Sequence, residues 1–368
     1  MTTNQNKTIY FKGLNGIRSI AALIVVIWHI DQSSFLYSIQ SKDFYLNGMA
    51  SRAVDLFFVL SGFLITFLLL KEKEEFGRID FKKFYLRRIY RIWPLYYLAV
   101  IISFVLYYFD LIEVGKSFFI SALFYIFMLA NVAFTTGFYI KSIEPLWSVG
   151  VEEQFYAFWP IIINKFKKLE LVFLSIFLII ALIRVFFFYY FLNQQSFFFE
   201  FLYYFRINIM AIGALGAYWF YNKSNCLKFI YRKDIQILAW AVLLVSIFYK
   251  PLHIRTFIDA ELNSVFYLII ILNVSTNSNS IFSLENRVFN FLGKISYGIY
   301  VYHMLLIHIV AIPIQKLNIR MNYFVLQIIL ILITIIISYL SYIYFEKYFL
   351  NKKMKYMKVK STNVKKNE

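Results

Sequence analysis

Cysteine is almost absent from this chain: Cys226 is the only one. A single thiol excludes an intramolecular disulfide framework and any metal cluster built on thiolates. It falls in a Lys/Arg-bearing stretch (222–234) and reads as a free thiol facing a reducing compartment. Charge is scarce too, at 16% of residues, and acid is scarcer than base, with 20 Asp and Glu against 38 Lys and Arg. Soluble domains are about half apolar and about 25% charged, whereas here 61% of residues are hydrophobic and 21% aromatic, with a mean hydropathy of +0.65. A soluble globular fold is thereby excluded. Also missing are a Gly-x-Ser-x-Gly elbow, a His-Glu-x-x-His motif and a glycine-rich phosphate loop. Their absence argues against a soluble-type serine hydrolase, a zinc protease and an ATPase. No internal repeat is evident, which weakens the reading as an inverted-repeat transporter.

What the chain does have is apolar runs of bilayer length. They fall near 14–31, 52–70, 92–109, 117–134, 146–163, 171–191, 200–221, 235–249, 261–276, 295–312 and 322–345. The first contains Arg18 and His29 and lacks a small-x-small cleavage pattern, so it reads as a retained span rather than a signal peptide. Basic residues crowd the stretches 71–91, 165–168 and 223–233, and eight lysines follow Glu346 against one glutamate. With a net charge of +18, nucleic acid is a conceivable partner. Positions between apolar runs are better explained by cytoplasmic loops and anionic lipid. Eleven full crossings would export the lysine tail. If 117–134 enters and leaves on one side, every basic loop returns to the cytoplasm. The expectation is therefore an all-α, polytopic transmembrane bundle of ten crossings plus one re-entrant segment, with both termini inside. The membrane domain is expected over 1–350 and a solvated, disordered basic tail over 351–368.

Ionisable residues inside apolar spans cost about 2.5–3.5 kcal/mol on insertion scales, so each is a functional candidate. Arg18 and His29 are separated by about 1,100° of helix, three turns plus about 20°, and by about 16.5 Å of rise. They share one face. A neutral imidazole at His29 can take a proton from a hydroxyl near neutral pH; the plainer reading is a histidine satisfied by a neighbouring helix. Asp55 opens the second run, where its carboxylate could orient an imidazole or simply sit at the water interface. Gly62, on the same face, suits close helix packing. Arg88 and Arg91, beside Arg87, are paired at i, i+3, and paired guanidinium forks suit phosphates; positive-inside anchoring is the competing account. Glu152 and Glu153 diverge by about 100°, so one of them faces a site. His303 shares a face with Ser296 and nearly with Tyr300. His308 lies about 140° away, and His253 is expected in an exposed outer loop.

Together these segments resemble the membrane-bound acyltransferase family 3 proteins, which modify bacterial surface glycans. The matching elements are Asn15-Gly16-Ile17-Arg18 running to His29, Phe57-Phe58-Val59-Leu60-Ser61-Gly62-Phe63-Leu64-Ile65, and the Arg-x-x-Arg of Arg88 and Arg91. Trp147-Ser148 followed by Val151-Glu152-Glu153-Gln154-Phe155-Tyr156, and Ile295-Ser296-Tyr297 leading to His303, complete them. Five degenerate motifs in the family's order make a specific match. The resemblance implies a cytoplasmic acyl donor, usually acetyl-CoA, used as co-substrate with no permanently bound cofactor and no metal. It also implies a hydroxyl acceptor on a glycan or lipid-linked sugar outside, a multi-pass place in the bacterial inner membrane, and partners in envelope biosynthesis. Carried over by position, His29 is the catalytic histidine with Arg18 as its motif partner. Asp55, Glu152 and His303 complete the catalytic set, while Arg88 and Arg91 bind the donor. Relatives often have tryptophan where Glu153 sits, which favours Glu152 as the family carboxylate. Glu346-Lys347 is followed by Tyr348 rather than the family's proline. Some relatives continue into an extracytoplasmic hydrolase-like domain, so transfer here is expected to finish in the membrane domain or with a partner.

The expected function is O-acyl transfer, with Ser61, Tyr300 and Arg18 as candidate oxyanion donors. The rival is a transporter or flippase for sugars or lipid-linked glycans, its buried charges lining a pathway.

Overall fold

Apolar runs of bilayer length have no water to bond with, so each must satisfy its backbone N–H and C=O groups internally, as a helix. The computed structural model describes residues 9–39, 48–190, 197–248, 258–357 and 359. In chain order its α-helices are α1 (Leu14–Gln32), α2 (Met49–Phe76), α3 (Phe81–Tyr108), α4 (Phe118–Ile126), α5 (Ala130–Thr136), α6 (Trp147–Lys165), α7 (Leu169–Tyr190) and α8 (Phe197–Tyr204). There follow α9 (Ile207–Tyr221), α10 (Cys226–Ile230), α11 (Lys233–Phe248), α12 (Asp259–Thr276), α13 (Arg287–Lys316), α14 (Tyr323–Ser341) and α15 (Lys347–Met354). Among the described residues there is no strand, only an isolated bridge between Val114 and Ile140. His253 lies outside the described residues.

Among the described residues, six helices are long and apolar enough to cross a membrane: α1, α2, α3, α7, α13 and the continuous run Tyr323–Met354. The run at 117–134 does not form one helix. It divides into nine-residue α4 and seven-residue α5, broken at Met128, whose φ of 57° is left-handed. Nine residues rise about 13.5 Å, under half the hydrocarbon thickness of about 30 Å. Helix α9 is different again. It has 15 residues, and Asn208 through Ala217 are all buried, so protein rather than lipid surrounds it.

Two close helix pairs set the centre. A Cβ on Gly62 would lie 1.9 Å from the Met210 carbonyl oxygen, and one on Gly213 would lie 1.9 Å from that of Val59. Each glycine therefore admits the other helix's backbone, and α2 and α9 touch along their main chains. Helices α1 and α13 meet likewise, where a Cβ on Gly293 would fall 2.2 Å from the Asn15 carbonyl. The outward faces stay apolar, as lipid requires: Leu178 and Leu182 on α7, Ile328 and Leu332 on α14 are all exposed.

Helix α15 carries the chain past Asn351, where the basic tail is expected to begin. Helix α14 passes through a π-helical turn, Tyr342–Glu346, straight into α15. The chain beyond α15 then lies against α3. Arg87 donates from Nη1 to the Tyr356 carbonyl at 3.1 Å, and the rings of Tyr90 and Tyr356 stack at 5.7 Å. Arg87 is held in turn by Glu72 at 2.7 Å. Residues 358 and 360–368 lie outside the described residues.

Candidate active site

The close approach of α1 and α13 brings His29 and His303 together, with His303 Nε2 3.3 Å from His29 Nδ1. Their other contacts assign the protons. His29 Nδ1 lies 2.8 Å from the Val25 carbonyl, and His303 Nδ1 lies 2.6 Å from that of Tyr300. A carbonyl only accepts, so in the neutral rings each Nδ1 carries the hydrogen and donates it. His303 Nε2 is then a lone pair facing His29, and His29 Nε2 is unprotonated. That arrangement fits a proton acceptor supported from behind. The Trp28 indole packs edge-on against His29 at 4.8 Å. His308 is not part of this pair; its Nδ1 donates to the Met304 carbonyl at 2.9 Å.

A cavity of about 140 Å³ opens between α1, α2, α3, α6 and α13. Arg18, Arg88 and Arg91 line it, together with Glu152, Tyr156 and Ser61. The same three arginines also line an adjoining cavity of about 100 Å³, so they stand where the two spaces meet. Arg88 and Arg91 share a face, as i, i+3 spacing dictates, while Arg87 turns away to Glu72. The Arg88 guanidinium lies over the Tyr156 ring at 5.8 Å, and its Nε is buried without a partner.

The two glutamates separate as consecutive helical positions must. Glu152 faces the cavity, accepting from Ser61 Oγ at 2.8 Å and from Tyr156 OH at 2.9 Å. Glu153 turns to α3, where Trp93 Nε1 donates to it at 3.0 Å. Ser148 and Tyr300 line the larger cavity and not the smaller, their hydroxyls 2.7 Å apart. Tyr300 OH donates to the Pro145 carbonyl at 2.9 Å. His29 and His303 are not among the lining residues; Tyr300 stands between, its ring 5.8 Å from that of His303. Arg18 and His29 share a face of α1, but Arg18 belongs to the cavity and His29 to the histidine pair. Of the candidate oxyanion donors, Ser61 is engaged by Glu152 and Tyr300 by Pro145, which leaves Arg18 facing the space.

Asp55 is placed elsewhere. Both its oxygens accept from Arg206 Nη1, at 2.7 and 2.8 Å, and both side chains are buried. Its carboxylate is thus committed to the cation that precedes α9 rather than to an imidazole. Beside it Arg184 of α7 pairs with Glu261 of α12, which also accepts from Asn208 at 2.8 Å. Reading the sequence missed Arg184, Arg206 and Glu261, although all three are ionisable residues within or at the ends of apolar runs. It also missed Lys353 of α15, which lines the smaller cavity.

The sequence profile described as an acyltransferase domain matches residues 11–343. A relative from Staphylococcus aureus (strain COL), named "Putative O-acetyltransferase SACOL0978", is 31% identical over 344 residues, covering 84% of this chain and 52% of the relative. The O-acetyltransferase OatA of S. aureus (strain NCTC 8325 / PS 47) is 26% identical over 363 residues, covering 92% of this chain and 57% of that protein. The chain thus spans about half the length of the curated relatives it matches. No solved structure matches it. With the profile covering nearly the whole chain, the chain belongs to the membrane-bound acyltransferase family 3 and carries its acyltransferase domain.

Proposed function

We propose that this domain moves an acetyl group from a cytoplasmic acyl-CoA to a hydroxyl of a glycan or lipid-linked sugar on the extracytoplasmic side of a bacterial inner membrane, through ten crossings with both termini inside. The observation that carries the reading is the meeting of Arg18, Arg88 and Arg91 at the junction of two cavities, one of which is also lined by Tyr300, whose ring lies beside the histidine pair. Three guanidiniums converge on a cavity whose single lining carboxylate among the described residues, Glu152, already accepts from Ser61 and Tyr156, and such a cluster suits a polyanion. The phosphates of coenzyme A supply one, and its pantetheine arm carries the thioester into the larger cavity.

His29 Nε2 takes the proton of the acceptor hydroxyl as its oxygen attacks the thioester carbonyl. The His303 Nε2 lone pair, 3.3 Å from His29 Nδ1, faces the imidazolium that forms and stabilises its charge, while the Nδ1–H stays on the Val25 carbonyl. The tetrahedral intermediate collapses with loss of the C–S bond, and the imidazolium returns its proton to the leaving thiolate, giving an ester and free coenzyme A. The acyltransferase profile favours this reading over a transporter, in which the same charges would line a pathway.

The test is the acyl-ester content of surface glycan from cells carrying wild type or His29→Ala at matched expression. Ester is expected to vanish in the variant while the amount of glycan at the surface stays constant. Persisting ester overturns the mechanism, and a change in glycan amount with decoration intact supports the transporter.

A further inference from the structure

The smaller cavity is strongly basic. Among the described residues its charged lining consists of Arg18, Arg88, Arg91 and Lys353, and no carboxylate lines it. Three of these cations come from α1 and α3. The fourth comes from α15: Lys353 lines only the smaller cavity, whereas Ser148 and Tyr300 line only the larger, and the three arginines line both. Lys353 is not a solvated tail lysine that happens to lie nearby. The π turn at Tyr342–Glu346 feeds α15 toward α3, and Arg87 and Tyr90 fasten the following Tyr356 in place. Its neighbour Lys352 turns the other way, its Nζ 4.3 Å from the Tyr348 ring.

We infer that Lys353 is a donor-phosphate ligand and that α15 is a built wall of the donor site. This rests on the acyl-CoA reading above. The order of groups along coenzyme A selects which phosphate Lys353 meets. The thioester must reach Tyr300, the diphosphate follows the pantetheine arm, and the 3′-phosphate on the ribose lies farthest from the acyl carbon. With the thioester in the larger cavity and the diphosphate on the shared arginines, the 3′-phosphate falls at Lys353. An ammonium is a compact point charge with three donors, suited to a terminal phosphate monoester, whereas planar arginine forks suit the bridging diphosphate. A lipid phosphate is the other source of this chemistry, and it carries no 3′-phosphate to discriminate.

The experiment measures binding of coenzyme A and of dephospho-coenzyme A, which lacks the 3′-phosphate, to the full chain in nanodiscs of zwitterionic lipid. It uses wild type, Lys353→Gln, Lys352→Gln and Arg88→Ala/Arg91→Ala. Wild type is expected to bind coenzyme A about tenfold more tightly than the dephospho form, the worth of one charge-assisted hydrogen bond. Lys353→Gln is expected to lose that preference while binding dephospho-coenzyme A as wild type does, and Lys352→Gln is expected to keep it. A Lys353→Gln protein that retains the preference overturns the inference and leaves the acyl-CoA reading standing. A wild type that binds neither form, or a double arginine variant that binds both normally, overturns the donor site itself. Repeating the measurement with anionic lipid separates the sources. If phosphatidylglycerol abolishes coenzyme A binding in wild type but not in Lys353→Gln, the lysine is a lipid ligand and the inference falls.

Discussion

Replacing Asp55 by asparagine is expected to destabilise the protein while leaving the chemistry of the folded molecules intact. Both carboxylate oxygens meet a single nitrogen of Arg206, and the two side chains are 3% and 1% exposed. The arginine's remaining bonds go to the neutral Tyr203 carbonyl and the Ser51 hydroxyl. Asparagine keeps the shape and removes the charge, which leaves Arg206 buried without its counter-ion. The neighbouring Arg184–Glu261 pair is already balanced and cannot supply one. Breaking one side of a buried pair costs about 3–5 kcal/mol, or roughly two to nearly four decades in the folded-to-unfolded ratio at about 1.4 kcal/mol per decade. Unfolding midpoints of detergent-solubilised Asp55→Asn, Arg206→Gln and the double variant read this directly. The double variant removes both charges, so its loss should fall short of the sum of the singles by about 1–3 kcal/mol, the coupling typical of residues in one network. Ester formation per folded molecule should be unchanged. An Asp55→Asn protein with a wild-type midpoint and lost turnover would refute the reasoning, because the carboxylate would then be acting on an imidazole.

Two other outcomes follow from the same geometry. His303→Phe fills the ring's volume without the Nε2 lone pair that faces His29, so the His29 imidazolium loses an electrostatic partner comparable to a charged hydrogen bond, about 1.5–3 kcal/mol. Single-turnover rates should drop about ten- to a hundredfold with coenzyme A affinity unchanged; weaker coenzyme A binding instead would move His303 into the donor site. Gly213→Val places carbon where the Val59 carbonyl stands, since a Cβ there lies 1.9 Å from that oxygen, and α2 must separate from α9. A depressed unfolding midpoint is expected, and wild-type stability would mean that the two backbones are not in contact.

What could be read in the sequence divides along a physical line. Helix period is local, so the shared face of Arg88 and Arg91, the divergence of Glu152 from Glu153 and the fitness of Gly62 for a close helix contact were all available from spacing alone. The run at 117–134 was singled out by charge instead, because eleven full crossings would export the lysine tail; its break at Met128 has no signal in the period. Pairing is not local. Asp55 meets Arg206 across 151 positions and Arg184 meets Glu261 across 77. Each looks like an isolated anomaly in its own run until four helices assemble. Counting ionisable residues in the apolar runs would have found all four, yet it could not have said that Asp55 belongs with Arg206 and not with His29. Lys353 shows the harder case. In sequence it is one of eight lysines after Glu346, and nothing local distinguishes it from Lys352. Its place is set by the π turn, which shifts the register of everything beyond residue 346, and by the hold of Arg87 and Tyr90 on Tyr356. A rotation of about 100° per residue is enough to exchange which lysine faces the arginines. The proposed donor site therefore depends on a helical irregularity that composition and periodicity do not encode.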